Sequence, residues 1–434
     1  MTAQPLTSGA ISTETEDVVA LMADMGRRAR AAAAALRLAG PDTRSTALSA
    51  IAGAIRVRTD DILAANARDI DRALANGLTE ALIDRLALTP TRVAAIADAV
   101  DEIAAFPDPL GVETQRWTRP NGLDIARVRT PLGVLAIIYE SRPNVTADAA
   151  ALCIRSGNVA ILRCGSDCLD SALAVHAAVV EGLIAAGLPA DAVQLVPTPD
   201  RAAVGALLTG LDGNVDLLIP RGGKSLVARV QSEARVPVLG HLEGLNHTYL
   251  HAAADLDMAR DIVVNAKMRR VSVCGSTETL LVDAGAAGRL LPPVAEALMA
   301  AGCALRGDAR AQALVPAMTA AVEADWTTEY LAPILAVRVV DGLHAAIEHI
   351  GAHGSGHTEA IITDDAEAAA AFLTAVDSAI VLWNASTQFA DGGEFGFGGE
   401  IGISTSRLHA RGPVGAEQLT SYKYVVRGTG QIRP

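Results

Sequence analysis

A chain of 434 residues, half of them apolar and 20% charged, is too long for one ordinary core and too apolar for a disordered polymer, so two or three folded domains are expected. Aromatic residues make up only 3%, leaving Ala, Val, Leu and Ile to build the cores, and a net charge of -13 argues against a nucleic-acid binder, whose phosphate contacts need a basic surface. No run approaches the roughly 18 apolar residues of a membrane span, and Met1 to Asp17 lacks a basic-then-apolar signal pattern, so a cytoplasmic protein with no membrane partner is expected.

The first hundred residues read as helices, with apolar residues at three-to-four spacing over Val18 to Leu38, Arg44 to Arg58, Thr59 to Asn76 and Pro90 to Phe106. From about Arg116 the pattern becomes two alternating runs around Asn121-Gly122, which predicts a β-hairpin. Strand-length apolar runs follow at Gly133 to Ile138, Val159 to Arg163, Val193 to Val196 and Val215 to Ile219. Between them Val145 to Ser156, Ala172 to Ala186 and Ala202 to Leu211 read as helices. That alternation predicts β-α-β crossovers and a parallel sheet, with ligands at its strand ends. A second α/β region from about Gly244 has strand candidates at Thr279 to Val282, Ile334 to Val340, Ala360 to Thr363 and Ala379 to Leu382. The alternating tail Tyr422-Lys-Tyr-Val-Val-Arg427 predicts a strand able to pair with the hairpin.

The sequence has no G-x-G-x-x-G fingerprint, so any dinucleotide is held another way. Pro220-Arg-Gly-Gly-Lys-Ser225 follows a strand and opens a helix, a geometry that sets N–H groups and positive charge against a phosphate, or simply makes a tight turn. The five cysteines, Cys153, Cys164, Cys168, Cys274 and Cys303, form no CxxC pair and read as free thiols, without a disulfide or zinc site. Cys274 follows Lys267, Arg269 and Arg270. These cations could lower a thiol pKa and attract an anion, and the alternative is an inert cysteine beside a solvated basic loop. Asn144, between a strand and a helix, is either a donor to a developing oxyanion or a helix cap. Glu243 is a base or an ion-pair partner. His241, His247 and His251 lack metal-ligand spacing and read as structural histidines. Asp391 to Pro413 concentrates seven glycines, as backbone near a site or an interface does.

Five segments in chain order carry a resemblance: Tyr139-Glu-Ser-Arg-Pro-Asn-Val-Thr, Asp216-Leu-Leu-Ile-Pro-Arg-Gly-Gly-Lys, Gly354-Ser-Gly-His-Thr-Glu-Ala-Ile, Gly393-Glu-Phe-Gly-Phe-Gly through Leu408-His-Ala-Arg-Gly-Pro, and Ser421-Tyr-Lys-Tyr-Val-Val-Arg-Gly. Together they resemble the acyl phosphate reductases of the aldehyde dehydrogenase superfamily. The resemblance implies an α/β aldehyde dehydrogenase-like fold: two doubly wound parallel-sheet domains plus a small β oligomerisation element. On that pattern 1–116 and 131–243 form a cofactor-binding domain, 244–390 a catalytic domain, 117–130 and 411–434 the β element, and 391–410 a glycine-rich connection lining the cleft. The implied reaction is NADPH-dependent reduction of L-glutamyl 5-phosphate to L-glutamate 5-semialdehyde through a cysteine thioester, a step of proline biosynthesis. The alternatives are a hydrolytic aldehyde dehydrogenase and a non-catalytic scaffold.

The same resemblance implies roles residue by residue. Cys274 is the nucleophile, Asn144 the oxyanion donor and Glu243 the possible base. Arg163, Pro220, Arg221, Gly222 and Glu329 bind cofactor (NADPH/NADP), with Glu329 on the nicotinamide ribose. Arg142 and Arg411 are substrate-anion candidates that surface ion pairs explain equally well. A homodimer or homotetramer is expected, with glutamate 5-kinase as a possible partner. The chain departs from the family form at Arg163-Cys-Gly-Ser166-Asp167, which lacks a lysine suited to the extra phosphate of NADP. It also departs at Asn246 for cysteine, Gly275 for asparagine and Met268-Arg-Arg-Val271 for Thr-Gln-Arg-Pro.

Overall fold

The computed structural model describes residues 10–433; the part of the amino-terminal stretch before Ala10, read above for a targeting signal, and Pro434 of the tail lie outside the described residues. The chain divides into two compact units. One runs through Gly240 and adds Gly396–Gly402 and the segment from Val414 onward, and the other is His241–Phe395 with Ile403–Pro413.

The first unit opens with α1 (Ala10–Leu38), α2 (Pro41–Val57), α3 (Thr59–Ala75), the short α4 (Glu80–Leu86) and α5 (Pro90–Ala105). Pro41 and Pro90 sit in the first turns of α2 and α5, where a missing N–H goes unmissed, and the Thr89 hydroxyl caps α5 by accepting from Arg92 N–H. Their apolar stripes, with Leu48, Ile51, Ile55, Ile62, Val93 and Val100, close over a sheet in one core. That sheet is built from β3 (Val134–Tyr139), α6 (Val145–Arg155), β4 (Val159–Arg163), α7 (Leu169–Ala185), β5 (Val193–Leu195), α8 (Arg201–Leu208), β6 (Leu217–Arg221) and α9 (Lys224–Glu233). Its strands are all parallel, in the order β5-β4-β3-β6. Every residue of β3 is buried, as a continuous apolar run in a two-sided sheet must be. The chain leaves β3 toward β4 and β5, then crosses back to place β6 on the other side of β3.

Before this sheet come β1 (Glu113–Thr118) and β2 (Asp124–Pro131), an antiparallel hairpin that begins earlier than the expected Trp117. The tail strand β16 (Thr420–Arg427) adds antiparallel to β2, giving the order β1-β2-β16. Tyr424 meets Trp117 edge to face at 6.0 Å, and Arg127 lies 5.0 Å over the Tyr422 ring.

The second unit is built around β7 (Asn246–Leu250), α10 (Leu256–Met268), β8 (Thr277–Asp283), α11 (Ala287–Ala300), β9 (Ala304–Gly307), α12 (Ala309–Leu314), β10 (Thr319–Ala320), β11 (Ile334–Val340), α13 (Gly342–His353), β12 (Thr358–Ile362), α14 (Ala366–Ala375) and β13 (Ile380–Trp383). Its strands run parallel in the order β10-β9-β11-β8-β7-β12-β13. A two-stranded ribbon, β14 (Ile403–Ser404) with β15 (Gly412–Pro413), belongs to the same unit. The boundary falls at Gly240, before the expected Glu243, because His241 bonds the Ile403 carbonyl of this unit. The glycine-rich 391–410 is likewise divided rather than forming one connection, and of the 411–434 tail only the part from Val414 stays with the hairpin sheet.

Strands β7, β9 and β10 and helix α4 were not expected. β7 reads Asn-His-Thr-Tyr-Leu, too polar for an apolar-run signal, yet all five residues are buried. Most of its polar groups are matched inside the sheet: His247 Nδ1 pairs with Glu359 Oε2 at 2.9 Å, Thr248 with Thr277 at 2.8 Å, and Tyr249 donates to Asp283 at 2.7 Å, while His247 Nε2 is buried without a partner. His251 is likewise tied to the Thr363 hydroxyl.

Lys267 is fully buried at the end of α10 and donates to Glu278 of β8 at 2.5 Å. Burial outweighs the lysine and pushes the Glu278 carboxyl up to about 7. Removing the lysine alone strands a buried acid, so Lys267→Met is expected to destabilise the fold by roughly 3–5 kcal/mol, while Lys267→Met with Glu278→Leu restores most of the loss. Denaturant unfolding near pH 8 measures both; equal losses in the single and double variants would contradict the pairing account.

Candidate active site

In the first unit the candidate residues collect at the carboxyl ends of β3, β4 and β6, beside the point where the strand order reverses, which is where an open α/β sheet leaves a crevice for a ligand. Arg221 ends β6 in register with Tyr139 at the end of β3, and Pro220 lies beside Ile138. Arg163 ends β4, its guanidinium donating to the Pro199 carbonyl at 2.9 Å. A Cβ at Gly222 would lie 2.6 Å from Glu140 Oε2, so any larger residue there would have to displace that side chain. That oxygen accepts from Gly223 N–H at 2.9 Å, so one of the amides at the start of α9 is already engaged by a carboxylate. Arg221 faces Glu400 at 3.8 Å, and Asp167, in the stretch that departs from the family form, accepts from the Ser141 hydroxyl.

Asn144 occupies the cap position of α6 but makes no side-chain cap bond. Its amide instead donates to Asp148 Oδ2 at 2.8 Å, one turn into the helix. This fixes the plane of the amide and leaves its second hydrogen directed by the first. Burial pushes the Asp148 carboxyl up to about 6, against the opposing pull of the Asn144 bond and the Arg221 charge. Arg142 lies half-buried between β3 and α6.

In the second unit the candidate residues sit at the opposite, amino ends of β7, β8 and β12. Cys274 lies in the loop between α10 and β8 and is the only one of the five cysteines that is not buried. Burial raises the thiols of Cys153 and Cys303, the latter to about 11, and Cys168 is raised by its bond to Cys164 and then by burial, which makes all three poor nucleophiles. Two neighbours set the Cys274 backbone. Gly244 passes so close that a Cβ there would stand 2.0 Å from the Cys274 carbonyl oxygen. The Asn246 amide donates to that same carbonyl at 2.6 Å and to the Ser276 carbonyl at 2.8 Å, while its oxygen accepts from Thr358 N–H at 3.2 Å. Glu329 is held by Gly244 N–H at 2.9 Å, which places it next to Glu243 in the chain.

Of the three cations expected near the thiol, Lys267 is paired with Glu278, and Arg269 and Arg270 are exposed. What stands near the sulfur is a pair of imidazoles. One ligand atom each from His241, His357 and Cys274 lie within 4.8 Å of one another, and the two rings meet edge to face at 4.8 Å between centroids. His241 had been read as structural and His357 not singled out. The signal was the Gly354-Ser-Gly-His-Thr-Glu stretch, in which Ser355 holds Leu245 N–H, His357 faces the thiol and Glu359 holds His247. Arg411 is tied to Asp377 by an ion pair of 2.7 Å and a bond to its carbonyl, the ion-pair reading of that residue.

The raised Asp148 carboxyl has a consequence for stability. Its folded value of about 6 lies above the ordinary 3.8, so between those values the folded chain holds a proton that the unfolded chain lacks. Stability from this group is therefore gained as pH falls through the window and lost as pH rises through about 6. Asp148→Asn is expected to melt higher than the parent at pH 7.5, with the gap narrowing as pH falls below about 6 and closing toward pH 3.8. A gap independent of pH would refute the buried-carboxylate account.

Residues 2–320 and 295–425 match the model of the aldehyde dehydrogenase family. The chain is 68% identical over 413 residues to the gamma-glutamyl phosphate reductase of Caulobacter vibrioides, covering 95% of this chain and all of that one. It is 61% identical to the same-named protein of Methylorubrum populi over 97% of this chain and 98% of that one. The crystal structure of gamma-glutamyl phosphate reductase from Thermotoga maritima superposes with a TM-score of 0.93 at 41% identity, covering 95% of this chain and 100% of that one. The fold, the site residues and these full-length matches together show that the chain belongs to the aldehyde dehydrogenase family, among the gamma-glutamyl phosphate reductases.

Proposed function

We propose that the chain reduces L-glutamyl 5-phosphate to L-glutamate 5-semialdehyde with release of phosphate, the second step of proline biosynthesis from glutamate, through a thioester on Cys274. The observation that carries this reading is a single accessible cysteine whose backbone is clamped by Gly244 and Asn246, in a chain that spans the full length of the reductases it matches. A nicotinamide cofactor goes with the family, and NADPH is the form proposed. The crevice at β3 and β6, with Arg163, Arg221 and the Cβ-free Gly222, fits a phosphorylated nucleotide, and a bound reduced nicotinamide supplies the hydride.

In this mechanism the Cys274 thiolate attacks the acyl carbon, forming the C–S bond as the carbonyl pair moves onto oxygen. Asn144 donates its free amide hydrogen to that oxyanion, its orientation kept by the bond to Asp148. The pair returns, the C–O bond to phosphate breaks, and phosphate takes up a proton as it leaves. After reduction of the thioester carbon the C–S bond breaks, releasing the aldehyde and restoring the thiolate. Glu329, kept in place by Gly244 N–H, positions the cofactor ribose, and Arg142 is the candidate for a substrate anion. No water attacks the thioester, so Glu243 has no obligatory task. Glutamate 5-kinase, as the source of a labile acyl phosphate, is the candidate partner.

The reverse reaction tests the reading. NADP reduction with glutamate semialdehyde is expected to require phosphate, to fall by at least about 10⁴-fold in Cys274→Ala and to persist in Glu243→Gln. Phosphate-independent turnover that dies with Glu243→Gln would mean thioester hydrolysis, and no turnover in either buffer would leave a scaffold.

We also propose that β16 is the face through which the chain forms a homodimer or homotetramer. Its outer edge is unpaired among the described residues and carries Tyr422, Tyr424 and Val426 more than half exposed. Val426→Lys is expected to lower the mass in light scattering toward the monomer; an unchanged mass would place the interface elsewhere.

A further inference from the structure

We propose that Cys274, His241 and His357 form a binding site for a thiophilic divalent cation of the Zn²⁺ class, and that its occupation holds the nucleophile in an unreactive form. The donor set is one sulfur and two imidazoles, which suits a soft cation in tetrahedral coordination with one position left for water. The three donor atoms lie within 4.8 Å of one another. Tetrahedral bonds of about 2.0–2.3 Å ask for donors about 3.3–3.8 Å apart, so side-chain rotations closing the cluster by about 1 Å complete the geometry.

Two further observations point to a ligand there. His241 Nδ1 lies 2.7 Å from the Ile403 carbonyl, to which it can only donate, so the lone pair of that ring is on Nε2. A bond from the far ring nitrogen to a backbone carbonyl is the arrangement that orients metal-bound histidines. His357 is fully buried, its Nδ1 bonded to the Thr358 hydroxyl at 2.8 Å, while its Nε2 is buried without a hydrogen-bond partner. A buried imidazole nitrogen left unmatched is costly, and a cation would satisfy it. Two of the three are also held in register: Asn246 bonds both the Cys274 carbonyl and the N–H of Thr358, next to His357, so the cysteine loop and the start of β12 keep a fixed spacing.

Binding exchanges a proton for the metal. The S–H bond breaks, the proton passes to solvent, the sulfur pair is donated to the cation, and nothing is oxidised or reduced. Affinity therefore rises with pH through the range in which the thiol and imidazoles lose their protons. The consequence for activity rests on the reading of Cys274 as nucleophile, and the existence of the site does not.

The test uses the full-length protein after chelator treatment, titrated with Co²⁺ alone and then with Zn²⁺. One equivalent of Co²⁺ is expected to give a thiolate-to-metal absorption band and tetrahedral visible bands, both abolished by Zn²⁺. His357→Ala and His241→Ala should each weaken binding by no less than the roughly 10–100-fold that loss of an outer partner costs. Should either variant fold poorly, the parent chain still decides: stoichiometric Zn²⁺ must slow iodoacetamide labelling of Cys274, read by peptide mass, and chelator must restore it. No thiolate band, or labelling unaffected by Zn²⁺, overturns the site, as does affinity unchanged in both histidine variants. A band and protected thiol without loss of reductase activity keeps the site and overturns the nucleophile instead.

Discussion

The side-chain amide of Asn246 ties three strand ends of the second unit into one piece. It spends both its hydrogens on carbonyls of the Cys274 loop and its oxygen on the first N–H of β12. Each partner would otherwise be a polar group in or near a buried place, at a cost of about 1–3 kcal/mol apiece. A fully matched buried amide of this kind specifies one geometry. Gly244 supplies the other half of the constraint, because only a residue without a Cβ can run so close to the Cys274 carbonyl. The Cys274 backbone is thus placed by these contacts, and its side chain is left partly accessible where the four other thiols are buried.

The two units use opposite ends of their sheets. In the first, strand order reverses beside β3, and the crevice opens at the carboxyl ends where Arg163, Arg221 and Asn144 lie, as the general behaviour of open α/β sheets requires. In the second, Cys274, His241, Gly244 and His357 all stand just before β7, β8 or β12 begins, at the amino ends. The polar interior of β7 follows from this placement. A strand whose first residue must bond the Cys274 loop cannot be wholly apolar, and the pairs His247–Glu359 and Tyr249–Asp283 continue the polar interior along it.

What the sequence made legible follows the same physics. The strands β3, β4, β6 and β11 and the helices around them were readable because burial on both faces demands long apolar runs and amphipathic helices demand three-to-four spacing. β7 was not, because its polar side chains are matched only by residues about thirty to over a hundred positions away, Thr277, Asp283 and Glu359. Cys274 could be picked out from its local sequence, but its surroundings could not. Of the cations adjacent in sequence, Lys267 turns to Glu278 while Arg269 and Arg270 are exposed, and two imidazoles approach from distant segments, His241 and His357. Asn144 shows the same limit. Its position between strand and helix reads first as a cap, and the structure shows its amide on Asp148 with no side-chain cap bond.

An accessible sulfur proposed to attack a carbonyl carbon is by the same token a soft donor, and nothing in its own chemistry distinguishes an acyl group from a metal ion. Selectivity has to come from the neighbours. A carboxylate beside the sulfur would oppose the negative charge that an acyl phosphate brings, and a lysine would oppose a cation, so each would bias the loop strongly one way. Two imidazoles bias it less, because a neutral ring tolerates the anionic substrate and still offers a lone pair to a cation. The withdrawal of Lys267 into its pair with Glu278 belongs to the same arrangement, since it removes from the loop the one ammonium that would have repelled a metal. The environment that would leave this thiol reactive in the proposed reaction is therefore also the one that would make it capturable.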